Sequence, residues 1–382
     1  MTRNINLTLI IPILFNTKRY LLPCMMPYVV ILLLTSCIDP FNYGNEKQEK
    51  PFLVVDGFIS NEKKLYTVSL KRSANFLAKT TTYNGFIKEE GFNKPESKAI
   101  VKIIDQNGKE LRLWETERGS GIYQSSNLNW QGKIGNKYYL SILTKDGKQY
   151  QSKPEILHSS SKIRDVYYKL EKHKTLNSSN YIEDAEGIQY YTDIDVGKDE
   201  FYLFTNEETY IMEQAFDNSV HCYVTGQGDL NHKVLASNNY SKSKIDSFSL
   251  NFVIPDIKYN VKYSYHLKKY SISPDAYAFF NAINKQLATK GTILDATPSK
   301  ITGNIFNTED SNEIVLGYFG AYGVSSKRTF ISFNDLPKKF KKGVLNICFT
   351  LCPPLSSDCP PKYCSDCALF PGSSKAAPDF WE

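Results

Sequence analysis

From Phe52 onward the chain alternates apolar and polar residues in short runs: "FLVVDGFIS", "LYTVSLKRS", "AIVKIID", "ELRLWET", "KYYLSILT" and "QYQSKPEIL". A period of two turns one face of each run toward a core and the other toward water, as in a half-buried strand. Turn-forming residues separate the runs, among them Asp105-Gln106-Asn107-Gly108 and Lys145-Asp146-Gly147. About seven strands in ~105 residues predict an immunoglobulin-like sandwich over residues 51–157. A loop from Pro154 to Ser161 closes it.

The next segment, 158–347, is again strand-rich: "DVYYKL", "IQYYTDIDV", "EFYLFTN", "SFSLNFVI" and "NVKYSYHLKKYSI". One stretch changes period. Ser273 is a good N-cap, Pro274 fits the first helical position, and Asp275 suits the positive end of a helix. Ala276, Phe280, Ile283 and Leu287 then form an apolar stripe. This predicts a helix near 274–290, closed by Gly291. After it, "ITGNIFN" and "EIVLGYFGAYGVSSKRTFIS" read as a β pair turning at "EDSN". The fold class expected is mainly β: an immunoglobulin-like sandwich, a second β-rich domain with one α-helix, and a stapled C-terminal tail over 348–382.

The other end of the pattern is unlike the rest. Residues 1–36 contain Arg3, Lys18 and Arg19, no acid, and an almost wholly apolar run from Tyr20 to Ser36. A positive flank, a short apolar run and small residues before a cysteine describe an export signal. Leu34-Thr35-Ser36-Cys37 resembles the bacterial lipobox, in which Cys37 would receive a diacylglycerol and the signal would be cut before it. Residues 37–50, polar and marked by Gly and Pro, then form a lipidated tether. Loss of the three basic residues takes the formal net charge from +6 to +3, which gives no reason to expect nucleic acid as a partner.

Export also decides how the cysteines read. Once Cys37 is acylated and Cys24 discarded, Cys222, Cys348, Cys352, Cys359, Cys364 and Cys367 remain. An even set in an exported chain points to disulfides. Cys222 stands alone in mid-chain, so if all six pair, one bridge ties it to the tail. A zinc knuckle is the rival, but C-x3-C-x6-C-x4-C-x2-C lacks a second paired C-x-x-C, and no metal is expected.

Taken together, the lipobox, "LVVDGFIS", "LKRS", "GIY", "GKIGNKYYLSI", "GNIFN", "VLGYFGA" and the ending "CSDC…PGSSKAAPDFW" resemble the Bacteroidetes outer-membrane lipoprotein family called domain of unknown function 4249. The resemblance covers essentially all of residues 37–382. It implies an outer-membrane lipoprotein, often encoded near TonB-dependent receptors, and it supplies no catalytic residue. The function expected is an accessory lipoprotein that docks on a TonB-dependent receptor or another envelope barrel complex and assists ligand capture. The alternatives are a purely structural component or, less favoured, a glycan-active enzyme.

Chemistry-bearing motifs are sparse, and no cofactor is expected. None of His158, His173, His221, His232 and His266 stands in a metal-binding spacing. "DIDVGKDE" fails as a calcium loop because Gly197 comes one position early. "KKFKK", 338–342, reads as a solvated turn. The one excess is aromatic, with 26 Tyr and 22 Phe. In pairs such as Tyr138-Tyr139, Tyr167-Tyr168 and Tyr190-Tyr191 one ring faces the core, while the other packs across the sheet or meets a partner.

Overall fold

Alternation in the first half becomes strands at nearly every expected place in the computed structural model. It describes residues 51–73, 79–83, 86–90, 94–176, 181–214, 217–230, 232–288, 301–338, 340 and 366–381. The first strands are β1 (Leu53–Ser60), β2 (Thr67–Arg72), β3 (Lys79–Tyr83), β4 (Phe86–Glu90), β5 (Lys94–Pro95) and β6 (Ile100–Asp105). Then come β7 (Glu110–Glu115), β8 (Ile122–Ser125), β9 (Lys137–Leu143), β10 (Gln149–Ser152) and β11 (Glu155–Ile156). The two quoted turns form as their residues require. Asp105 Oδ1 accepts from the amides of Asn107 and Lys109, each at 2.9 Å, and Gly108 and Gly147 have positive φ.

Pairing runs β10-β9-β6-β7-β8-β2-β1 without a break. An immunoglobulin-like sandwich divides its strands between two separately bonded sheets; here they are bonded in one continuous order. One face of all these strands feeds a single core, including Leu53 and Val55, Val68 and Leu70, Val101 and Ile103, and Leu140 and Ile142.

Beyond residue 158 lie β12 (Ile163–Leu176), β13 (Ile182–Asp195), β14 (Phe201–Gln214), β15 (Asp217–Gln227), β16 (Lys233–Ala236), β17 (Lys244–Val253) and β18 (Lys262–Ile272). After them come helix α1 (Pro274–Leu287), β19 (Ile305–Asn307), β20 (Val315–Ser332) and β21 (Ser373–Ser374). The helix begins as its residues predict. The Ser273 side chain accepts from the Ala276 amide at 3.1 Å, and Pro274 and Asp275 fill the first turn. Its stripe is shorter than expected. Ala276 and Phe280 are buried and Ile283 partly so, but Leu287 is 75% exposed. Gly291 lies outside the described residues.

A second correction concerns "ITGNIFN". It does not pair back on the following strand; β19 bonds to β10, from Tyr150↔Asn307 to Ser152↔Ile305. That leaves β20 free for two other partners. Its first half runs parallel to β1, from Leu53↔Val315 to Ser60↔Tyr322, and its second half runs antiparallel to β18. Gly317 permits the close approach to β1: its φ is +97°, and a Cβ there would lie 1.8 Å from the Val55 carbonyl oxygen.

Alternation along β20 therefore serves three cores. Phe319 and Ala321 complete the first core, together with Ile305 and Val315, so residues 51–157 do not close it alone. Ile331 joins a second core, where the separate sheet β12-β13-β17 lies over β14 and β18. Tyr190 stacks on Tyr265 there at 3.9 Å between ring centroids. Tyr318 and Tyr322, on the opposite face of β20, meet Leu203, Tyr270, Ala276 and Phe280 in a third core under α1. Residues from Pro51 onward form one compact unit.

Candidate functional site

The third core does not fill its space. A cavity of about 430 Å³ opens on that face of the sheet, a size within the ~300–1,000 Å³ range of small-molecule sites. Strand alternation selects its lining. β1 buries Val55 and Ile59 in the first core and turns Asp56 and Phe58 the other way, and β14 likewise presents Leu203, Thr205 and Glu207. Tyr270 comes from β18, Tyr318 and Tyr322 from β20, and Phe280 from α1. Lys64 enters from the loop after β1, and Gln227, Leu230 and His232 from the end of β15 and its loop.

One wall is aromatic. Phe58 stacks on Tyr322 and meets Tyr270 edge-on, both at 5.4 Å. Phe280 carries the His232 ring, parallel to within 10° at 5.1 Å. His232 is held in the left-handed region at φ 43°, an unusual place for a side chain of this size. Asn284 Nδ2 of α1 donates to its carbonyl at 2.8 Å and helps fix it there. Burial lowers the imidazole pKa, opposed by the Asp56 charge.

The rim is a chain of charges. Lys268 Nζ lies 2.7 Å from Glu207 and 3.6 Å from Glu62, Lys64 lies 3.5 Å from Glu62, and His266 Nδ1 lies 3.3 Å from Glu207. Burial alone would raise the Glu207 carboxyl, but hydrogen bonds from His266 and Lys268 outweigh it and hold it at about 2. Beneath the wall, the Tyr318 hydroxyl donates to Glu155 Oε1 at 2.5 Å. Burial raises that carboxyl despite its bonds to Tyr318, Ser273 and Asn304.

The residues expected from sequence fall elsewhere. Cys222 and Cys367 form a disulfide, Cα atoms 5.8 Å apart, and both are buried. Cys37, Cys348, Cys352, Cys359 and Cys364 lie outside the described residues, as does most of "KKFKK". His221 is half-exposed beside Glu213. Gly197 sits in a turn, its amide donating to Glu200 and Tyr202. Among the described residues, no three His, Cys, Asp or Glu stand together as metal ligands. Of the paired tyrosines, Tyr138 and Tyr190 are core, while Tyr167 and Tyr191 stack on each other across the sheet at 5.8 Å.

Sequence reasoning missed the cavity. One signal was present: Asp56 interrupts "LVVDGFIS", a strand apolar on both faces, with a single charge. His232, Lys64 and Glu207 belong to no motif, because only the folded sheet brings them together.

These features define an aromatic-walled cavity on a mainly β scaffold. The chain matches the family Domain of unknown function (DUF4249) over residues 38–328 and belongs to it. No curated protein matches the chain.

Proposed function

We propose that this is a lipid-anchored accessory protein of the outer membrane whose body captures a small ligand and works beside a TonB-dependent receptor or another envelope barrel complex. The observation that carries the reading is the cavity: concave, aromatic on one wall, and edged by fixed charges. The lipobox ending at Cys37 and the polar tether of 37–50 support the anchor. Among the described residues no helix is long and apolar enough to cross a membrane. Capture fits better than glycan hydrolysis. That reaction uses two opposed carboxyl groups, and Glu207 is already engaged by Lys268 and His266.

The test is extraction of the full-length protein in mild detergent, with native mass spectrometry for retained small molecules and identification of co-purifying barrels. Gln227→Trp, a change at the exposed mouth, should abolish retention without altering the melting temperature. Wild-type and Gln227→Trp proteins that both retain nothing, across the organism's metabolite pool, would sink the capture reading.

One observation favours assembly as a second reading. β12 and β13 form a ribbon of 14 residues a side, with Leu170 and Ile182 exposed on it. Charged replacements at both positions should release a co-purifying barrel if the ribbon is the docking element.

A further inference from the structure

Rings and polar groups divide the cavity between them. Gly320 stands beside Phe58 across the β1–β20 pairing, and the Tyr322 ring takes the space that a side chain there would fill. That closes the aromatic wall. His232 adds a ring at the mouth: one face of its imidazole lies on Phe280 at 5.1 Å, and the residue is exposed, so the other face is open to the cavity. A ring backed on one side and open on the other is a ready stacking platform. Its backbone stays in the left-handed region at φ 43°, a conformation kept at a cost and most often at working sites.

Charge does not choose the ligand. Glu207 is paired with Lys268 and His266, and Lys64 with Glu62. Asp56 is exposed on β1, where water screens its attraction for an opposite charge. Hydrogen-bonding capacity chooses instead. Asp56 offers two acceptor oxygens that no described residue engages. Gln227 donates through Nε2 to the Asn206 carbonyl at 3.1 Å and keeps its own carbonyl oxygen spare, and the His232 ring nitrogens are likewise unengaged by the described residues. The mouth is therefore rich in acceptors beside a flat ring.

We propose that the cavity takes a neutral pyranose sugar, with its C–H face on the His232 ring and its hydroxyls donating to Asp56 and Gln227. This rests on the capture reading and names the class of ligand. A sugar carries several hydroxyl donors along an edge beside an apolar face, so it meets ring and acceptors together. An apolar ligand would cover those acceptors without bonding to them, at a cost.

The experiment is titration calorimetry on the full-length protein in detergent. Methyl glycosides of glucose, galactose and mannose stand for a single sugar, maltose and cellobiose for the end of a chain, and cyclohexanol, glucuronate and glucosamine are the comparators. At least one neutral sugar should bind about tenfold or more tightly than every comparator. His232→Asn keeps a residue that tolerates the left-handed region but removes the ring. It and Asp56→Ala, at an exposed position, should each weaken that sugar about tenfold with the melting temperature unchanged. Undiminished binding by both variants would overturn the proposal. Equal or tighter binding of any comparator would overturn it too, while leaving the cavity a ligand site. If no sugar binds but native mass spectrometry finds another molecule retained by wild type and lost in Gln227→Trp, the sugar proposal falls and the capture reading stands. If nothing binds and nothing is retained, both fall.

Discussion

At the scale of single residues, Phe280 does two things: it anchors α1 in the third core and supports the His232 ring at the cavity. Replacing it with Ala should cost roughly 3–5 kcal/mol, the range for a buried Phe. The check is the denaturant midpoint, and a midpoint equal to wild type would place the ring outside the core. Glu207 makes a different statement. Hydrogen bonds from His266 and Lys268 hold its carboxyl down at about 2 in the folded protein, below the ordinary glutamate value of 4.5, so the unfolded chain takes up the proton first. The stabilisation is therefore present above about pH 4.5 and is lost as pH falls toward 2. Glu207→Gln should flatten that part of the stability profile relative to wild type; parallel profiles would mean that Lys268 and His266 do not hold the charge.

Elements show where local signals suffice and where they stop. The α1 start was legible because Ser273, Pro274 and Asp275 act within one turn, on backbone groups a few residues away. Its end was less so, since Leu287 is apolar by sequence but lies 75% exposed. One bridge of the C-terminal tail was legible, through the expectation that six paired cysteines would tie the isolated Cys222 to the tail. The Cys222–Cys367 bridge closes a separation of 145 residues, and it seats β21 on β15 at Tyr223↔Ser374. Trp381 then meets Tyr223 at 5.2 Å and Phe330 at 5.6 Å. Replacing both cysteines with Ser should cost about 2–5 kcal/mol by the usual effect of losing a native bridge. It should also shift Trp381 emission to the red as the tail leaves its rings. Unchanged emission with an unchanged midpoint would show the ring contacts to be enough.

For the whole molecule, attachment and architecture are separate questions. If Cys37 carries the anchor, Cys37→Ala should abolish palmitate labelling and free the protein from membranes, because acyl chains contribute ~0.8 kcal/mol per buried methylene. A variant that still labels and pellets with outer membranes would refute the lipoprotein reading. The architecture turns on β20, which borders three cores and joins the first strand of the body to strands more than two hundred residues later.

The sequence by itself determined the strands, the two turns, the helix start and the pairing of Cys222 with the tail. Each of these rests on period, on a cap or turn residue, or on the parity of thiols, and so on chemistry local to the chain. Only the tertiary structure decided the partners. β19 turned to β10 and β20 to β1 because those edges were open and their apolar faces completed a core. The cavity followed from the same choices. Asp56, Glu207, Tyr270 and His232 come from four separate stretches, and alternation says which face each side chain takes but not which face it will meet.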